Sequence, residues 1–404
     1  MFSARQLNKV ETDGGGVMEY LQRFFKVPEE SFFLFGPRGT GKSTWLKRHF
    51  SDALYIDLLA TDILREFIAW PERLLPAVAA HPDKKLVIID EIQKAPELLS
   101  IVHKLIEGDK SLRFILTGSS ARKLKRTGVD LLAGRAVKKT LHPFMAAEMG
   151  NTFDLNSALR YGTVPIVTAS GNPGRILKTY IDIYLNEEVK QEGMVRTIGD
   201  FTRFLSAAAL SHGQLLTVSN VAQDCQVKRK TVEGYFTILE DLLIGSTIPV
   251  FSRRAQRAVV SHPKFYFFDT GVFHSLRPRG PVDTPEEITG AALEGLVLQH
   301  LRAWIDYSEI DASIFFWRNR SGSEVDFILY GENLFPAINV KASHRVKSEH
   351  LRGLDSFRRD YPQCEPLLLY MGTRRLSING IRCIPCDDFL RALVPGSEFP
   401  FTGA

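Results

Sequence analysis

Cysteine is scarce in this chain: Cys225, Cys364, Cys383 and Cys386 are the four in 404 residues. That number and scatter exclude a disulfide framework and predict reduced thiols. Cys383-Ile384-Pro385-Cys386 is a lone C-x-x-C. A zinc site would need two more ligands, and no nearby Cys or His pair offers them, so buried core thiols are the expectation. No apolar run approaches the roughly 20 residues that cross a bilayer. The start, Met1-Phe2-Ser3-Ala4-Arg5-Gln6, lacks the zones of a signal peptide, so a cytoplasmic protein without membrane contact is expected. Neither sign of charge dominates: Lys+Arg 51 against Asp+Glu 46 leaves +5, which permits an acidic partner without demanding one. The length exceeds what one hydrophobic core usually accommodates, so two or three domains are expected.

What is present is organised around Gly36-Pro37-Arg38-Gly39-Thr40-Gly41-Lys42-Ser43, with an apolar run at 31–35 before it and a helical pattern from Thr44 onward. The glycines let the backbone turn its N–H groups inward, and the following helix adds its positive N-terminus, so a triphosphate such as ATP meets donors and favourable potential together. Lys42 would reach the β- and γ-phosphates, and Ser43 would hold Mg²⁺. The apolar runs 54–58 and 86–90, separated by helical patterns, predict buried parallel strands of an α/β sheet. The second run ends in Asp90-Glu91, where Asp90 would serve the metal and Glu91 would polarise the attacking water. A third run, 113–117, opens into Gly118-Ser119-Ser120. Thr117 or Ser119 would sense the γ-phosphate or position water at the carboxyl edge of the sheet; a capping serine is the alternative.

These stretches, GPRGTGKST, LVIIDEIQKAPELL, FILTGSSARKL and LLAGRAVKKTLHPF, resemble the AAA-type ATPase domain of a group of prokaryotic ATPases that carry a C-terminal domain of unknown function. The resemblance covers nearly the whole chain and is most specific through about Phe144. It implies that Arg135 completes a neighbour's active site within a homo-oligomeric ring, with Arg122 and Arg126 as rivals.

From about Leu155 longer helical patterns resemble a helical lid, including one over 175–185 and one over 201–210. A polar start and the apolar spacing over 17–25 predict a short helix ahead of the first strand. Two helical segments around Gln226-Val227, the second opening with Lys228-Arg229-Lys230-Thr231, match a helix-turn-helix. Segments 251–257 and 264–269 would make the hairpin of a winged helix. Lys228, Arg229, Lys230, Arg253 and Arg254 are then candidate contacts to DNA phosphates, and packing against protein is the alternative role of such a module.

The last third, with a helix over 293–301 and strands over 314–318, 324–329 and 335–341, resembles the restriction-endonuclease-like fold. That resemblance implies a Mg²⁺ site from Glu294, Asp326 and Lys341, but Asn339 stands where the pattern wants an acid. An amide neither adds charge nor helps deprotonate water, so a scaffold without nuclease chemistry is expected, and an acid restored at 339 should raise metal affinity. The sequence therefore predicts a multidomain α/β protein: a nucleotide-binding parallel sheet in 1–150, a lid in 151–210, a winged helix in 211–285 and a nuclease-like domain in 286–404. The expected function is Mg²⁺-dependent ATP hydrolysis by an oligomer acting on DNA. An ATP-regulated nuclease and a nucleotide-dependent assembly switch without nucleic acid are the alternatives.

Overall fold

A computed structural model describes residues 9–10, 18–19, 21–119, 132, 134–185, 197–252, 262–281 and 283–401. Five short strands, β1 (Ser31–Phe35), β2 (Leu54–Asp57), β3 (Leu86–Asp90), β4 (Arg113–Gly118) and β5 (Ala136–Thr140), form one parallel sheet in the order β2-β3-β4-β1-β5. β1, β3 and β4 are continuous apolar runs because helices cover both faces of such a sheet, leaving no solvent side to alternate with. Among these helices are α1 (Lys42–His49), which follows the glycine-rich loop directly, and α2 (Leu98–Gly108). Because β4 lies between β1 and β3, its carboxyl end falls between the loop and Asp90.

The helix expected over 17–25 is not formed. Residues 21–28 run without regular structure, and Met18–Glu19 pairs with Lys9–Val10 instead. Tertiary contacts override the periodicity: Phe25 packs edge-on against Trp45 at 4.9 Å, and Arg23 is drawn into a buried network. The pattern over 175–185 is split into a helix at Pro173–Thr179 and a π-helical turn at Tyr180–Leu185.

Three helices follow: α3 (Ile198–Leu210), α4 (Val218–Cys225) and α5 (Arg229–Asp241), the last two joined by a tight turn with Gln226 at φ 56°. β6 (Gly245–Ile248) and β7 (Lys264–Phe267) then pair antiparallel. The 24-residue helix α6 (Pro285–Ser308) leads into a separate mixed sheet built from β8 (Ala312–Arg318), β9 (Glu324–Gly331), β10 (Pro336–Lys341), β11 (Glu365–Tyr370), β12 (Leu376–Ile378) and β13 (Ile381–Pro385), in the order β8-β9-β10-β11-β13-β12. Helix α7 (Ser348–Asp360) packs on this sheet. All four cysteines are buried, and among the described residues no cluster of His, Cys, Asp and Glu suits a metal ion. No described helix is long and apolar enough to cross a membrane.

Helix α6 joins the parts. His300 accepts from the backbone N–H of Ala146 at 2.9 Å, and Gln299 donates to Thr163 Oγ1 at 2.6 Å. The Tyr307 hydroxyl accepts from the N–H of His142 at 3.0 Å, and Trp304 Nε1 donates to the carbonyl of Val394 at 3.2 Å. One continuous apolar cluster accordingly runs from Phe32 and Trp45 through Phe204 and Phe236 to Phe389.

Candidate nucleotide site

The loop closes on itself where the sequence places its glycines. A Cβ on Gly36 would lie 2.5 Å from the carbonyl oxygen of Leu141, and Gly39, at φ +83°, would meet Ile166 at 2.9 Å. Only glycine allows both approaches. Thr40 donates through Oγ1 to Pro37 O at 2.8 Å, fixing the turn, and the Tyr180 hydroxyl donates to Arg38 O at 3.0 Å, tying the tip of the loop to the π-helical turn. Helix α1 begins at Lys42 with left-handed Gly41 before it, so the N–H groups of Lys42, Ser43 and Thr44 lie in its open first turn. Lys42 Nζ reaches back across the loop to Gly36 O at 2.6 Å and Pro37 O at 3.2 Å.

Asp90 closes the other side. Its two carboxylate oxygens accept from the hydroxyls of Tyr55 and Thr117, and the carboxyl group is buried. The Ser43 side chain also acts on the Tyr55 phenol, so this phenol lies between the loop serine and the strand aspartate. Burial, then the bond to Asp90 and its charge, raises the Tyr55 phenol far above its ordinary value, so it stays protonated as a donor. Thr117 serves twice, since its Oγ1 also accepts from the Glu91 N–H at 3.0 Å. Glu91 sits at φ 64°, a left-handed position uncommon for a residue other than glycine. Its carboxylate accepts from Gln93 Nε2, which also donates to Ser119 Oγ at 3.3 Å.

Every loop residue, together with Asp90, Glu91, Thr117 and Ser119, is thus brought to one edge of the sheet. Two members of the site carry no signal in the sequence: Tyr55 reads as an ordinary strand aromatic, and Gln93 as a helix residue past the acid pair. Arg135 lies elsewhere. It precedes Ala136, which pairs with Ser31 at the amino end of β1, roughly 16 Å along the strand from the loop. Its guanidinium pairs with Glu107 at the end of α2, and the carboxyl of Glu107 is held below its usual range by that bond and by Lys110. Arg122, Arg126, Arg253 and Arg254 lie outside the described residues.

Residues 28–150 match the AAA domain family, residues 152–283 match a domain of unknown function, DUF8612, and residues 289–389 match another, DUF4143. The chain thus combines an AAA-domain match with a DUF4143 match at its C-terminus. The AAA domain points to nucleotide hydrolysis, and the edge just described lies wholly within it. An uncharacterized protein of Methanocaldococcus jannaschii, MJ1544, is 22% identical over 338 residues, 76% of this chain and 74% of its own. Protein VC1899 from Vibrio cholerae, known from a crystal structure, aligns over 90% of this chain and 96% of its own at 12% identity. Its TM-score of 0.22 carries no fold argument.

In the DUF8612 segment, Lys228, Arg229 and Lys230 are exposed at the start of α5, with Arg229 paired to Glu233 at 3.0 Å. The hairpin behind them is not free. Phe251 donates its N–H to Phe316 O of β8 at 2.6 Å and sits in the aromatic core of the DUF4143 segment, 5.3 Å from the ring of Tyr361.

In that segment Glu294, Asp326 and Lys341 do come together: Lys341 Nζ lies 3.6 Å from Asp326 Oδ2, which also accepts from the N–H of Val340 at 2.8 Å. Two residues absent from the expectation join them, Lys264 of β7 and Glu324 of β9. Period-2 spacing is the available signal, since Glu324 and Asp326 share one strand face and Lys264 and Tyr266 another. Asn339 departs from its expected part. Its Oδ1 accepts from the N–H of Asp326 at 3.2 Å and its Nδ2 donates to His350 O at 3.3 Å. An acid there would set a carboxylate oxygen against that carbonyl, so restoring it does not simply add a metal ligand.

Proposed function

We propose that this chain is a Mg²⁺-dependent ATPase that works as a homo-oligomer and couples hydrolysis to binding or remodelling DNA. The observation that carries this reading is the convergence of Lys42, Ser43, Asp90 and Glu91 on one edge of a parallel sheet, with Thr117 between them. The hard oxygen donors of Ser43 and Asp90, with Tyr55 bonded to Asp90, suit Mg²⁺, which would neutralise charge on the phosphate oxygens when bound. Lys42 would exchange its loop carbonyls for the β- and γ-phosphates. Glu91 would leave Gln93 to orient the attacking water, and Arg135, remote from its own loop, would serve a neighbouring copy. The exposed basic start of α5 would meet DNA phosphates.

Phosphate release by the purified protein, with and without duplex DNA, tests this. Turnover that requires Mg²⁺ and rises with DNA is expected; turnover no greater than that of Lys42→Ala would overturn the ATPase. The anchoring of Phe251 in the C-terminal core favours a second reading, a nucleotide-dependent assembly switch in which the helix-turn-helix segment packs against protein. Absence of any DNA mobility shift at low salt would select it.

A further inference from the structure

Lys264 is the first residue of β7, and its side chain is 3% exposed. Its ammonium lies 2.9 Å from Glu294 Oε1 and 3.6 Å from Asp326 Oδ1, and it pairs with Glu324 as well. The Tyr266 hydroxyl donates to the same Glu294 oxygen, and the ring of Phe316 closes over the ammonium at 5.7 Å. Burial alone would discharge a lysine here. The three carboxylates outweigh it and hold the ammonium well above its ordinary value.

The three acids already have three cations within ion-pair distance: Lys264, Lys341 with Asp326, and Arg318 with Glu324 at 3.4 Å. A divalent ion among them would leave an uncompensated double charge in a buried place, a costly arrangement. The residues present therefore do not fit the metal that a nuclease-like domain implies.

We propose that Lys264 is a tethered cation standing where a divalent ion would sit among Glu294, Glu324 and Asp326, and that the same contact latches the β6–β7 hairpin onto the C-terminal segment. The carboxylates are thereby kept for architecture, and the wild-type chain performs no metal-dependent cleavage at this cluster. This holds whether or not the ATPase reading is right.

Calorimetric titration of the full chain with Mn²⁺, without nucleotide, tests the proposal. Lys264→Met should gain one Mn²⁺ per chain over wild type, and Mn²⁺ should raise its melting temperature; Lys264→Arg should gain none, and adding Asp326→Asn to Lys264→Met should abolish the gain. Any ion held near Asp90 is common to all variants and cancels. A Lys264→Met protein that melts cooperatively yet binds no more Mn²⁺ than wild type overturns the proposal. If Lys264→Met does not fold, wild type is compared with Glu294→Gln: equal stoichiometry supports the tethered cation, and one Mn²⁺ fewer in Glu294→Gln refutes it.

Discussion

Arg23 donates from Nη1 to the carbonyl oxygen of Thr40, 3.2 Å away inside the phosphate loop. The same guanidinium reaches Glu148 Oε1 at 3.2 Å and the Tyr307 hydroxyl of α6 at 3.2 Å, so the loop, the segment after β5 and the long helix share one buried cation. Arg23→Ala leaves Glu148 without its charge partner, though two backbone N–H groups still bond it. A loss of about 3 kcal/mol in urea unfolding is expected, at the low end for a broken buried pair. An unchanged midpoint and slope would remove Arg23 from the framework.

The proposed mechanism gives phosphate and water to different residues, so their variants should separate. Lys42→Ala should abolish nucleotide binding, whereas Glu91→Gln should bind ATP normally and turn over at least a hundredfold more slowly. Fluorescent-nucleotide titration beside phosphate release distinguishes the two. Hydrolysis near wild-type rate in Glu91→Gln would exclude the carboxylate from the water-activating role.

Arg135 lies at the opposite end of β5 from its own loop, so a catalytic role for it, as proposed, has to be in a neighbour's site. Arg135→Ala should bind ATP and lose turnover, and mixing it with Lys42→Ala should restore part of the activity through interfaces that pair an intact loop with an intact arginine. Full turnover by demonstrably monomeric protein would rule out the shared site.

Buried histidines set the acid limit. Burial pushes His300 down to about 4 and His212 to about 3, both below the ordinary 6.5. Their stabilising contribution is complete above about pH 6.5 and is lost as pH falls toward 4, because the unfolded chain takes up the protons first. Asp269, raised by burial to about 6, runs the other way: its contribution is complete below its ordinary 3.8 and is lost as pH rises through 6. Two protons against one leave a net loss on acidification. His300→Gln should flatten the pH dependence of unfolding below pH 6 by about 1.4 kcal/mol per pH unit; an unaltered slope in chemical denaturation would contradict this.

The basic entry to α5 makes a salt-dependent claim. Lys228→Glu with Arg229→Glu should weaken DNA binding across sequences and reduce the salt slope by roughly one unit for each phosphate the side chains no longer neutralise. Affinity and slope matching wild type would assign the segment to protein packing.

The nucleotide edge is legible because its chemistry is local in sequence: a loop, a strand-ending acid pair and a hydroxyl at the next strand end each carry their own signal. What escapes is whatever depends on a partner far along the chain. Tyr55 matters because β2 lies beside β3, and Arg23 matters because a coil, rather than the expected helix, delivers it to Glu148, 125 residues away. Asn339 takes its expected part from position in a pattern, but its amide answers to two backbone groups that no pattern reveals. Lys264 reads as the charged start of an aromatic strand until the fold sets three carboxylates around it.

Phe251 follows β6 and Lys264 opens β7, and both reach into the C-terminal segment, so the β6–β7 hairpin is riveted there at two points. Were the chain cut between these two residues, the two polypeptides would stay together through Phe251 and through β6 pairing with β7, while Lys264 and its three acids would share the C-terminal piece. The nicked protein would elute as an intact particle and come apart only in denaturant.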